Sequence, residues 1–275
     1  MLPEEIEELL KEMSEEKIHG ASYMAKMGAK AYILLAERFE GEKLIEKLKE
    51  LGVELLNVNP TMASLYNLVR FIPITQEPEF VKAKAEEFIK LSEEAKREIG
   101  NIGSELIDQN EVIITHSYSS TVFEILKKAK EKGKSFKVIL TESEPDYEGL
   151  FLTKKLEELE ISFEVITDAQ LGLFAKRATL ALVGADNITK DGYVFNKAGT
   201  YLLALACHDN GVPFYVAAES FKIHPEAKAE DVKITERKFK RNHTIIRNYL
   251  FDATPWKYIR GIITELGILV PPKEI

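Results

Sequence analysis

The sequence predicts an α/β protein in which a helical N-terminal domain, residues 1–110, precedes a doubly wound parallel-sheet domain, residues 111–275. Three observations predict it. The first part of the chain carries apolar side chains at the three- and four-residue spacing of helices. At Glu111 the period changes to short β-rich runs separated by helical stretches, an alternation that demands right-handed crossovers and a parallel sheet covered on both faces. A length of 275 residues also allows two domains that each bury a core.

The elements follow in order. Ile6, Leu9, Leu10 and Met13 form one apolar stripe. A second helix runs from about His19 to Arg38, where Gly20, Ala21, Ala25, Gly28, Ala29 and Ala31 permit close packing. A third passes through Leu44, Ile45, Leu48 and Leu51, and a fourth starts near Thr61. Pro78 sits at a helix start. From there Val81, Ala85, Phe88, Ser92, Ala95, Ile99, Ile102 and Leu106 alternate spacings of four and three, which predicts a helix of about 30 residues, ~45 Å long. That stripe fits a core-facing helix, a bridge between domains or a dimer seam.

Strands are predicted at Val112–Ile114, Phe136–Leu140, Phe163–Ile166, Leu180–Val183 and Pro213–Ala218. The helices between them are Ser119–Lys132, Tyr147–Leu159, Ala169–Arg177 and Ala198–Asn210. A last helix is expected from about Pro255 to Leu266, ended by Gly267 and Pro271-Pro272.

Composition excludes several function classes. The formal net charge is −8, which lacks the basic footprint of a nucleic-acid binder, so no direct nucleic-acid contact is expected. Cys207 is the single cysteine, which rules out an intrachain disulfide or a thiolate metal cluster and fits a reducing compartment. Residues Met1 to Glu16 are acidic and amphipathic, unlike a signal peptide, and no apolar run reaches the ~18 residues of a membrane span. A soluble, cytoplasmic protein is expected, and abundant Lys and Glu with little Gln or Cys lean towards a thermophilic source. His208, His224 and His243 show no metal-ligand spacing, and no Walker A or dinucleotide fingerprint is present. Neither metal nor cofactor is expected.

In a doubly wound sheet the ligand binds beyond the carboxyl ends of the strands. Five such ends are polar here: Thr115-His116-Ser117-Tyr118-Ser119-Ser120, Thr141-Glu142-Ser143-Glu144-Pro145, Thr167-Asp168, Gly184-Ala185-Asp186-Asn187 and Glu219-Ser220. They predict a polar pocket for a small ligand. Asn196-Lys197-Ala198-Gly199-Thr200 is the sharpest local element. Asn196 can cap the helix that follows, Gly199 lets a ligand approach the backbone, and Lys197 adds charge, together a phosphate site. The same residues also fit an ordinary Asn cap beside a solvated lysine. Asp186 serves either as a hydroxyl acceptor or general base, or as the first residue of an Asx turn. Ser117 and His116 form no catalytic dyad, because neighbours in extended backbone point to opposite faces and no orienting acid is assignable. Cys207, among Leu203, Ala204 and Ala206, reads as a core thiol.

The run Gly184-Ala185-Asp186-Asn187-Ile188-Thr189, a turn at Asp191-Gly192, then Asn196-Lys197-Ala198-Gly199-Thr200 and Pro213-Phe214-Tyr215-Val216-Ala217-Ala218 form a family pattern. They resemble the family that unites the alpha, beta and delta subunits of translation initiation factor 2B with methylthioribose-1-phosphate isomerase and ribose-1,5-bisphosphate isomerase. Thr115-His116-Ser117-Tyr118-Ser119, Thr141-Glu142-Ser143-Glu144-Pro145 and Asn248-Tyr249-Leu250-Phe251-Asp252-Ala253-Thr254-Pro255 resemble further motifs of that family. Ala218-Glu219-Ser220-Phe221-Lys222 is similar to the alpha subunit in particular, in an archaeal version. The N-terminal half matches in helical character more than in motif.

The resemblance implies a helical N-terminal domain, a Rossmann-like C-terminal domain and a homodimer. Close-set Tyr249, Leu250, Phe251, Trp256, Tyr258 and Ile259 are the expected dimer contact. In the isomerases a cysteine after the first strand and an aspartate after the fourth work together, and arginines in Arg-Gly-Ala and Arg-Pro-Thr hold phosphate. The matching positions here are Ser117, Asp186, His19-Gly20-Ala21 and Asn59-Pro60-Thr61, with Lys197 kept. Aldose–ketose isomerisation needs an acid/base pair, and a serine hydroxyl is a poor member where a thiol is tunable. Each lost arginine also removes a charge-assisted phosphate contact.

The expected protein is therefore a non-catalytic, initiation-factor-2B-like subunit. It forms a homodimer and contacts a translation factor such as the alpha subunit of initiation factor 2. It binds a phosphorylated metabolite, a nucleoside monophosphate or sugar phosphate, through Ser117, Glu142, Asp186, Asn196, Lys197, Gly199, His19 and Gly20. The alternative is an aldose–ketose isomerase acting on a ribose 1-phosphate derivative, with Asp186 catalytic. A scaffold without ligand follows if the pocket is closed.

Overall fold

The computed structural model describes residues 2–234 and 236–270. It opens on α1 (Glu4–Glu15), α2 (Ala21–Arg38), α3 (Gly41–Val58), α4 (Ala63–Phe71) and α5 (Pro78–Ser104). The small residues of α2 let its neighbours close in. A Cβ at Gly28 would lie 2.7 Å from Leu68 Cδ2 and 3.2 Å from Leu55 Cδ2. Ile6, Met13, Leu35, Leu48, Leu65 and Leu68 fill the core between these helices. Pro78 stands at the start of α5, where its missing N–H has no helical partner to lose. Along α5, Val81, Ala85 and Phe88 enter this helical core, while Ile99 belongs to the core under the sheet with Ile125 and Leu126. The heptad-like stripe thus joins two cores.

Beyond α5 come β1 (Glu111–Thr115), α6 (Ser120–Glu131), β2 (Phe136–Thr141), α7 (Glu148–Glu158), β3 (Ser162–Ile166), α8 (Leu171–Ala175) and β4 (Leu180–Val183). A short hairpin, β5 (Asn187–Ile188) and β6 (Tyr193–Lys197), precedes α9 (Thr200–Asp209) and β7 (Phe214–Ala217). The main sheet runs β12-β11-β7-β4-β1-β2-β3, where β11 (Gly261–Thr264) and β12 (Gly267–Leu269) come from the end of the chain. All neighbours are parallel except β11 and β12. Ranked by chain order, the parallel strands read 3-2-1-4-5-6, the Rossmann order, with its switch point between β1 and β4. Every residue of β4 is buried, as a central parallel strand requires. The fold is mixed α/β, with helices first and a mostly parallel sheet after. No helix among the described residues is long and apolar enough to cross a membrane.

The expected helix from Pro255 to Leu266 is absent. That stretch ends β10 (Phe251–Pro255), makes one 3₁₀ turn at Trp256–Tyr258 and becomes β11. The period there is two, not 3.6: Ile262 enters the core on one face of the sheet and Ile263 the core on the other. Gly261 is needed because a Cβ would lie 2.8 Å from Ile268 Cγ2. Gly267, at φ +121°, turns the chain into β12. Pro271 and Pro272 lie outside the described residues. Asn196 is likewise no helix cap. It lies in β6, in a small sheet ordered β10-β6-β5, and its Nδ2 donates to Thr200 Oγ1 at 2.9 Å. Between β7 and β10 an arm projects, the two-stranded β8 (Glu236–Arg241) and β9 (Thr244–Tyr249).

Candidate functional site

The carboxyl ends of β1 and β4 open onto a cleft roofed by the loop between α1 and α2. The cavity is about 150 Å³, room for a small polar solute rather than a single water. Ser117, Asp186, Asn196, Lys197, His19 and Gly20 all line it. Glu142 and Gly199 do not.

Ser117 sits in the left-handed region at φ 64°, where the chain leaves β1 for α6. Its N–H donates to Ser143 Oγ at 2.8 Å. Behind it His116 is buried, and burial holds its imidazole below the ordinary value and neutral. The Ala198 carbonyl, 2.8 Å away, can only accept, so Nε2 carries the proton. Nδ1 therefore accepts from the Thr141 hydroxyl at 2.7 Å, and Thr141 in turn accepts from Ser143 Oγ at 2.8 Å. This relay locks the ends of β1 and β2 to the start of α9. It also engages both ring nitrogens and leaves none for Ser117.

Asp186 is 9 % exposed at the end of β4. Its Oδ1 accepts from the Ala21 N–H at 3.3 Å, so the carboxylate faces the first turn of α2 and makes no local Asx turn. Burial pushes its pKa up, against the opposing pull of Lys222, the Ala21 N–H and Lys197. Gly20 lies beside it, with a Cβ position 3.8 Å from Oδ1. Beneath lies a buried set: Ser22 Oγ donates to Glu219 Oε1 at 2.7 Å, and Lys222 Nζ is 3.0 Å from Glu219 Oε2. Burial alone would raise Glu219, but Lys222 and the Ser22 hydroxyl outweigh it and hold the carboxyl below its usual value.

Lys197 is not solvated; it is 6 % exposed. Its Nζ lies 2.6 Å from Glu148 Oε1 and 4.0 Å from Asp146 Oδ2. Asp146 also holds Arg237 of β8, at 2.8 Å. Burial raises Glu148, with Lys197 opposing. The acid expected at Glu142 is thus supplied one turn later. Glu142 continues the strand, its N–H donating to the Ile166 carbonyl at 2.9 Å, and the cleft is reached only after the turn through Ser143.

The start of α9 is no open phosphate site. The Asp252 carboxylate accepts from the N–H groups of Gly199 at 2.7 Å and Tyr201 at 3.1 Å. Gly199 is required for another reason: its φ is +112°, and a Cβ would lie 2.7 Å from His116 Nε2. Burial pushes Asp252 up to about 6 although both N–H groups pull it down.

His19 borders the mouth of the cleft. Its ring stacks on Tyr23 with centroids 4.5 Å apart, and Tyr118 meets Phe151 edge-on at 4.8 Å. Glu16 pins the loop by accepting from the N–H groups of Lys17, Ile18 and His19 at 2.7–3.0 Å. The chain's one cysteine, Cys207, is fully buried in the core between α9 and the sheet, and burial pushes its thiol up to about 12.

Sequence reasoning missed Asp146, Glu148, Lys222 and Arg237. Lys222 carried a signal: it lies three residues after Glu219, across a 3₁₀ turn that brings both side chains together. Arg237 carried none, because a short charged hairpin reads as surface.

A model of the initiation factor 2 subunit family matches residues 17–271. The chain belongs to this family. Among its relatives is a translation initiation factor eIF-2B subunit 2-like protein of Pyrococcus furiosus, 62 % identical over 275 residues and covering 100 % of both chains. Another is a ribose 1,5-bisphosphate isomerase of Archaeoglobus fulgidus, 34 % identical over 98 % of this chain and 90 % of that protein. The crystal structure of a translation initiation factor eIF-2B from Pyrococcus horikoshii superposes with a TM-score of 0.98 at 60 % identity, over 100 % of both chains. The initiation factor 2 subunit family thus contains both factor-like proteins and sugar-phosphate isomerases, and this chain resembles members of each kind.

Proposed function

We propose that this chain is a non-catalytic, initiation-factor-2B-like subunit whose cleft binds a phosphorylated metabolite, a nucleoside monophosphate or a sugar phosphate. One observation carries the reading. The cleft holds binding groups without a thiol to pair with Asp186: Ser117 stands after β1, and Cys207 is buried in the core. A serine hydroxyl is a weak acid/base, whereas Lys197, Lys222, Asp186 and the first turns of α2 and α6 suit an anionic, hydroxyl-bearing ligand. Calorimetric titration with AMP and ribose 5-phosphate, run beside an NMR assay with ribose 1,5-bisphosphate and methylthioribose 1-phosphate, tests this. Binding without turnover is expected. Turnover at ordinary enzymic rates, roughly 1–10³ s⁻¹, would overturn it.

The isomerase reading keeps one observation in its favour: a buried Asp186 with a raised pKa is a competent proton carrier beside the ligand. In the factor reading the subunit also forms a homodimer and docks on a translation factor such as the alpha subunit of initiation factor 2. Half-exposed Tyr249 and partly buried Trp256 and Tyr258 support the dimer, because aromatic side chains left at a surface are enriched at interfaces.

A further inference from the structure

Two cations from separate elements converge on one oxygen inside the cleft. Arg237 Nη1, on the β8–β9 arm, lies 2.8 Å from Asp146 Oδ2, and Lys197 Nζ, at the end of β6, lies 4.0 Å from the same atom. All three side chains line the cavity. Lys197 has a nearer partner in Glu148 Oε1 at 2.6 Å, so it stays neutralised when Asp146 moves away. Asp146 is the detachable member. It sits on the loop between β2 and α7, its long contact to Lys197 has no hydrogen-bond geometry, and its own ion partner Arg237 is a third exposed. Glu148 lines the cleft and keeps one buried oxygen, Oε2, with no hydrogen-bond partner.

We infer that Arg237 is a ligand-binding residue of the cleft and that Asp146 is its resident anion, displaced when the phosphate of a polyhydroxylated phosphomonoester takes its place between Arg237 and Lys197. The inference rests on reading the cleft as a phosphorylated-metabolite site, and it says where the phosphate goes. A phosphate offers a guanidinium two parallel acceptors and nearly twice the charge of a carboxylate, so it displaces Asp146 where a neutral sugar cannot. The hydroxyls of the same ligand then face Glu148 Oε2 and Asp186. Asp146 thereby sets selectivity: every ligand must first break an ion pair, and only a phosphorylated one replaces it.

The test is calorimetric titration of wild type, Asp146→Asn, Arg237→Gln, Arg237→Lys and Lys197→Met with ribose 5-phosphate, and with ribose as the uncharged control. Asp146→Asn should bind the phosphate roughly 3- to 10-fold more tightly than wild type, because the competing ion pair is gone. Arg237→Gln should bind it roughly 10- to 100-fold more weakly, with Arg237→Lys between. Thermal melts of each variant establish that it folds. Should Arg237→Gln fail to fold, Asp146→Asn decides alone, and equal or weaker affinity overturns the inference. Wild-type affinity in both Asp146→Asn and Arg237→Gln, with loss in Lys197→Met, overturns the inference and leaves the cleft reading intact. No binding by wild type or Asp146→Asn overturns both.

Discussion

Lys197 shows how burial changes the role of a charge. Sequence patterning placed it beside a phosphate or in solvent, yet it lies 6 % exposed against Glu148. Replacing it with Met leaves a buried carboxyl unpaired, which costs about 1–3 kcal/mol. Glu148 already has a raised pKa and can escape by taking a proton. A group whose folded pKa is raised favours folding below its unfolded value and loses that contribution as pH rises. The Lys197→Met penalty should therefore be larger at pH 8 than at pH 5, as urea melts at both values would show. A pH-independent penalty would mean that Glu148 is not the partner that matters. Asp252 obeys the same sign. Its folded value of about 6 exceeds its ordinary 3.8, so the native state holds a proton that the unfolded chain releases, and its contribution fades between those two values. Asp252→Asn keeps an acceptor for the start of α9 and removes the titration. The difference in melting temperature between wild type and variant should change from pH 4 to pH 6.5 in the variant's favour, then stay flat.

At the scale of elements, the start of α7 places the site's acids. A Cβ at Gly149 would collide with the Thr141 carbonyl oxygen, so α7 can rest on the end of β2 only with glycine there. Gly149→Ala must push α7 outward and carry Glu148 and Asp146 with it. The expected result is destabilisation of about 1–3 kcal/mol from overpacking, together with weaker ribose 5-phosphate binding. A variant stable to within ~0.5 kcal/mol of wild type would show that the contact relaxes freely.

Elements also mark what was legible in the sequence. The change of period at Glu111, the Pro78 helix start and the polar ends of five strands were readable, because each is a local signal with a local cause. The tail was not. Trp256, Tyr258, Ile259, Ile262 and Ile263 fit a helical face as well as a strand, and only the vacancy beside β7 selects the strand. Asp186 and Ser117 were legible because they follow strands, and Lys197 because it precedes a helix. Arg237 was not, since the β8–β9 hairpin carries it to Asp146, 91 residues away in the chain.

The whole molecule is held together across the cleft. Asn187 Nδ2 donates to the Thr61 carbonyl at 2.8 Å, Asn67 Nδ2 to the carbonyls of Phe221 and Ile223 at 2.6 and 2.9 Å, and Ser22 to Glu219. Each joins the N-terminal helical region to a segment that follows β4 or β7. A homodimer would add to this. Light scattering at micromolar concentration should give twice the 31.2 kDa chain mass, and replacing Tyr249 and Trp256 with Ser should shift it towards one. A monomeric wild type would remove the dimer from the proposal.

α5 buries Val81, Ala85 and Phe88 in the helical core and Ile99 in the sheet core, so unfolding either core strips part of one continuous helix. The two parts should therefore melt together, in a single calorimetric transition. A ligand in the cleft touches both, through the loop at His19 and Gly20 on one side and through Asp186 and Lys197 on the other. It should raise that single transition rather than split it. At a ligand concentration 100 times its Kd, the gain is about 2.7 kcal/mol. For a chain of this length that corresponds to a rise in Tm of roughly 5 °C. Scanning calorimetry with and without ribose 5-phosphate checks both parts. Two resolved transitions would show that the helical and sheet regions unfold independently. A ligand that lifted only one of them would place the binding groups on one side of the cleft, and the cross-cleft contacts would then serve assembly rather than binding.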